Sequence, residues 1–96
     1  MIRLLIADDD EIMLQRLRHQ IPWEENGFEI VGAAKDGKEA YEMVLSACPD
    51  IVLTDINMPF LSGFELAEKI RLMLRGCKIV FLTGYDDFAY ARQAVR

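Results

Sequence analysis

The stretch Pro49-Asp50-Ile51-Val52-Leu53-Thr54-Asp55 decides the fold class. Pro49 and Asp50 introduce Ile51, Val52 and Leu53, a continuous apolar run without polar alternation, as expected of a strand covered on both faces. Such a strand lies at the centre of a sheet, and this one ends on an acid, Asp55. Outward from it, short β-branched runs alternate with helical patterns along the whole chain. Upstream, a first strand is expected over residues 3–8. A first helix follows over about residues 10–21, with Met13, Leu14, Leu17 and Ile21 on one face and Pro22 ending it. A second strand covers residues 28–33, after which Asp36 and Glu39 have the spacing of a helix cap with its reciprocal acid. Helix two then runs to Ala47. Downstream come a loop over residues 56–62, helix three over 63–74, an apolar strand four over 78–83 and helix four over 86–96. Four βα units joined by right-handed crossovers predict an α/β fold, a doubly wound parallel sheet with its ligands at the carboxyl ends of the strands.

The chain has 96 residues, which allows one domain over residues 1–96 and no separate output module. The formal net charge of -5 repels phosphate backbones and anionic lipid heads, so direct nucleic-acid binding by this segment is disfavoured. No apolar run approaches the roughly 20 residues that span a bilayer, and the opening segment ends in an acidic cluster instead of a cleavage site. A cytoplasmic protein is expected. Cys48 and Cys77 lack metal-ligand spacing and read as free structural thiols, while His19 points away from the apolar face of helix one and receives no role.

The strand ends carry the chemistry. Strand one ends in Asp8-Asp9-Asp10, strand three in Asp55 and strand four in Thr83. Neighbouring strands lie about 4.8 Å apart, so Asp8 or Asp9 can approach Asp55 at one point, with Thr83 one strand further. Each residue has a plain structural reading: an acidic helix start, a loop acid closing a strand, a capping hydroxyl. Their convergence on one sheet edge favours a functional site. Clustered carboxylates repel, and an oxygen-rich site without histidine or cysteine suits Mg²⁺.

These residues resemble the receiver domain of two-component response regulators. The likeness is carried by Leu4-Leu5-Ile6-Ala7-Asp8-Asp9-Asp10, by Pro49 through Pro59 with Ser62-Gly63, and by Phe81-Leu82-Thr83-Gly84-Tyr85. Ile21-Pro22-Trp23, the segment Gly27 to Gly32 and the run from Gly84 to Ala91 are similar to regulators whose output is an AraC-type DNA-binding domain. The resemblance implies a flavodoxin-like sheet in the order 2-1-3-4. It implies that a sensor histidine kinase supplies a phosphoryl group, that Asp55 accepts it, and that Thr83 hydrogen-bonds a phosphoryl oxygen and so shifts the conformation controlling a transcriptional output. It further implies that Asp9 and Asp55 bind Mg²⁺ directly, that the backbone carbonyl of Asn57 completes the protein ligands, and that Asp8 assists through water. DNA is met only through an output domain outside this chain. Phe60 and Leu61 have both a packing reading and one as part of a kinase-docking surface; Phe64 reads as core.

The family pattern continues into a fifth strand, bearing a lysine that contacts the phosphoryl group, and a fifth helix. The chain stops at Arg96, so an incomplete receiver lacking its last βα unit is expected, with the strand-four edge open to self-association. Asp10, Glu11 and Ser62 stand where Glu, Pro and Asp are common. Two rivals stay open: a pseudo-receiver interaction module that is not phosphorylated, and a phosphohydrolase with Asp8 as nucleophile, resembling the haloacid dehalogenases.

Overall fold

The computed structural model describes residues 1–82. Four parallel strands, β1 (Ile2–Ala7), β2 (Phe28–Ala34), β3 (Ile51–Asp55) and β4 (Lys78–Leu82), alternate with α1 (Glu11–His19), α2 (Gly37–Ala47) and α3 (Gly63–Met73). The sheet order is β2-β1-β3-β4, so β1 and β3 occupy the middle as the apolar runs require. This is the doubly wound arrangement expected from the sequence. The proposed helix over 86–96 and Thr83 lie outside the described residues.

Period-two alternation divides the core into two layers. Leu5, Ala7 and Val52 point to one face, where they pack with Ala40 and Val44 of α2 and Leu66 and Ile70 of α3. Leu4 and Ile6 point to the other, against Leu14 and Leu17 of α1. All of these side chains are buried. Removing one large aliphatic group from so thin a core costs about 2–5 kcal/mol.

Several boundaries differ from expectation for local reasons. Helix α1 ends at His19, two residues early, because the chain turns through a 3-10 segment, Glu24–Asn26, ahead of β2. Ile21 therefore lies beyond the helix and is exposed, and Met13, at the flank of the apolar stripe, is 40 % exposed. Strand β2 carries a bulge: Leu4 pairs with Ile30 but Leu5 pairs with Gly32, leaving Val31 extra. The extra residue turns the strand over. Phe28 and Ile30 thus pack on the α1 side, whereas Ala34 packs on the α2 and α3 side.

Candidate functional site

Asp8 follows the last residue of β1, and Asp55 is the last residue of the neighbouring β3. The pairing of Ala7 with Thr54 sets the two strand ends level, so the acids that follow emerge side by side. Asp8 is buried, Asp55 half-buried and Asp9 exposed, and each offers a carboxylate oxygen within 4.8 Å of the others. Asn57 stands exposed two residues beyond Asp55 in the loop. The fifth residue expected at the site, Thr83, lies outside the described residues.

Local hydrogen bonds aim these groups. The Asp10 N–H donates to Asp8 Oδ1 at 2.9 Å, and the Ile56 N–H donates to Asp55 Oδ1 at 2.8 Å. Asp10 itself caps α1, accepting from the Ile12 and Met13 N–H groups. Its acid therefore serves the helix, as the plain reading of an acidic helix start holds. Behind Asp55, the buried Thr54 hydroxyl donates to the Asp55 carbonyl at 2.9 Å and stands 3.7 Å from Met58 Sδ.

Two close approaches shape the loop between β3 and α3. A Cβ on Gly63 would stand 2.3 Å from the Asp55 carbonyl oxygen, so only glycine lets α3 begin against the end of β3. The Gly63 N–H donates to the Ile56 carbonyl at 2.7 Å, and Ser62 caps the helix. Ser62 and Glu65 form a reciprocal capping box, the Ser62 hydroxyl accepting from the Glu65 N–H and the Glu65 carboxylate from the Ser62 N–H. At α2 the Asp36 carboxylate accepts the Glu39 N–H at 2.7 Å. The Ser-x-x-Glu spacing that announces the box at α3 was readable in the sequence.

The electrostatics follow from crowding. Burial raises the Asp8 carboxyl above its ordinary range, with Asp9 and Asp10 adding repulsion against the opposing bond from the Asp10 N–H. Asp55 is pushed up to about 6, first by burial and then by the charge of Asp8, with Asp9 contributing further. Two unit charges about 4 Å apart repel by roughly 4 kcal/mol at an effective dielectric of about 20, less where water reaches Asp9. Among the described residues this is the one cluster of acids, cysteines or histidines close enough to share an ion. Its donors are all oxygen, the type that Mg²⁺ takes at about 2.0–2.1 Å in octahedral geometry.

No helix among the described residues is long and apolar enough to cross a membrane. The transcriptional regulatory protein YesN of Bacillus subtilis, itself uncharacterized, is 36% identical over 96 residues, all of this chain but 26% of that protein. The chain thus spans about a quarter of that relative's length. A two-component transcriptional regulator AraC from Clostridium phytofermentans superposes with a TM-score of 0.91 at 32% identity, covering 100% of this chain and 74% of that one. The response regulator TrrA of Thermotoga maritima, solved in complex with Mg²⁺-BeF, superposes with a TM-score of 0.81 at 34% identity, covering 98% of this chain and 81% of that one. The model of the response regulator receiver domain matches residues 4–96. With the sheet order, the paired acidic strand ends and that match in agreement, the chain belongs to the response regulator receiver domain family.

Proposed function

We propose that this chain carries the phosphoacceptor of a two-component system, residues 1–96 belonging to one receiver domain. A sensor histidine kinase donates the phosphoryl group and Asp55 receives it. The observation that carries this reading is the convergence of Asp8, Asp9 and Asp55 at the level ends of β1 and β3. An Asp55 carboxylate oxygen attacks phosphorus, the bond from phosphorus to the donor breaks, and an acyl phosphate forms. Mg²⁺ held by these acids would supply positive charge that offsets the repulsion between the carboxylates and the incoming phosphoryl group. TrrA, solved with Mg²⁺-BeF, supports that assignment by similarity.

The residues divide the work. Asp9 and Asp55 would hold the cation directly together with the Asn57 carbonyl, and Asp8, oriented by the Asp10 N–H, would assist through water. The Ile56 N–H fixes one Asp55 oxygen and leaves the other to attack. Thr83 hydrogen-bonds the transferred group. The output is transcriptional and reaches DNA through a domain outside this chain, in the cytoplasm, as the regulators similar to it suggest.

Intact mass after incubation with Mg²⁺ and a small phosphodonor tests the reading. One added phosphoryl group is expected on the wild type and none on Asp55→Asn. Labelling that survives Asp55→Asn but disappears in Asp8→Asn would make the chain a hydrolase, and no labelling of the wild type would make it an unphosphorylated interaction module.

A further inference from the structure

We propose that Gly37, at the start of α2, is a positioning residue for the cation at the acidic site. The inference rests on the Mg²⁺ assignment above and concerns a residue from a different βα unit. The loop carrying Asn57 bends at Phe60, whose φ of 68° is left-handed and whose side chain is 81 % exposed. The Leu61 N–H donates back to the Pro59 carbonyl at 2.7 Å, closing a three-residue turn around that strained residue. The Gly37 N–H donates to the same carbonyl at 3.4 Å.

This turn lies directly on the Gly37 α-carbon. A Cβ there would stand 1.8 Å from the Leu61 carbonyl oxygen and 2.6 Å from the Leu61 carbonyl carbon. Backbone meets backbone, so no flexible side chain can yield. Gly37 cannot retreat either, because it is buried and the Asp36 cap anchors the first turn of α2. At the other end of the loop the Ile56 carbonyl is held by the Gly63 N–H at 2.7 Å. The loop is therefore clamped at both ends, with Asn57 inside the clamp. Any side chain at position 37 displaces residues 59–61, and the fixed Ile56 end confines that movement to the segment bearing the Asn57 carbonyl.

The test compares wild type, Gly37→Ala, Asp36→Ala and Gly76→Ala. Mg²⁺ affinity is measured calorimetrically, and phosphorylation of Asp55 is followed across Mg²⁺ concentrations at saturating phosphodonor. Gly37→Ala is expected to raise the half-saturating Mg²⁺ concentration about tenfold, as loss of an outer-shell support does at metal sites. Its rate at saturating Mg²⁺ should stay near wild type. Asp36→Ala loosens the same helix start and shifts the half-saturation in the same direction by a smaller factor. Gly76→Ala, where a Cβ meets nothing within 4 Å, should bind as wild type. A purely structural role would instead lower the active fraction at every Mg²⁺ concentration and leave the half-saturation unchanged. Folded Gly37→Ala with affinity within twofold of wild type overturns the proposal; should that variant not fold, unchanged affinity in Asp36→Ala does so. Wild-type protein that binds no Mg²⁺ refutes the underlying assignment and this inference with it, whereas normal wild-type binding with unaffected variants refutes Gly37 alone.

Discussion

The two ends of the sheet use the same chemistry to opposite effect. At the amino end, the Asp50 carboxylate accepts the Arg3 N–H at 2.8 Å, the Asp50 N–H donates to the Arg3 carbonyl at 2.9 Å, and the Lys78 N–H donates to the Asp50 carbonyl at 2.9 Å. The Arg3 guanidinium donates to the Ala47 carbonyl and approaches that of Cys48, the orphan acceptors where α2 ends. A cation there answers the negative end of the helix dipole. At the carboxyl end three acids face one another, and burial with repulsion raises two of their carboxyls. Charge satisfied by backbone groups holds the fold at one end; charge left crowded at the other is what the proposed cation and phosphoryl group would meet.

That contrast can be broken from either side. The largest effect on stability is expected from Arg3→Ala, which leaves the α2 carbonyls without their cation and should cost about 2 kcal/mol in denaturant unfolding, with Mg²⁺ affinity unchanged. An effect that large on Mg²⁺ binding would mean the two ends are coupled. Next comes pH. Asp55 binds its proton more tightly in the folded chain than in the unfolded one, so its contribution to the stability of the metal-free protein is greatest in acid and is lost as pH rises from about 4 through about 6. Asp55→Asn should remove this slope, and its melting midpoint in chelator near pH 7 should equal or exceed that of the wild type. Mg²⁺ competes with the same proton, so its affinity should fall roughly tenfold for each unit below about pH 6; a flat profile between pH 7 and 5 would remove Asp55 from the ligand set. The smallest effect is expected from Ser62→Ala, which deletes the capping box of α3 at about 1 kcal/mol without altering the Mg²⁺ pH profile. A displaced profile would show that this cap also holds the acids in place.

Much of the site was legible because its signals are local. An apolar run ending in an acid marks both Ile6-Ala7-Asp8 and Leu53-Thr54-Asp55, and neighbouring parallel strands bring such ends level whatever the details of packing. What stayed hidden depends on segments far apart in sequence. The extra residue Val31, which moves Ala34 to the opposite face from Phe28 and Ile30, answers to the register against β1. The exposure of Ile21 follows from how early α1 breaks toward β2, and that of Met13 from its place at the flank of the helix's apolar stripe.

The sequence by itself determined the repeated βα order, the buried pair of central strands and the acids at their carboxyl ends, because burial on both faces and period-two alternation are written in neighbouring residues. Only the tertiary structure decided the distances among Asp8, Asp9 and Asp55, the rise in the Asp55 carboxyl, and the meeting of Gly37 with Leu61. Those are properties of backbones and charges brought within a few ångströms by folding, and desolvation and close contact come into being only when the elements pack.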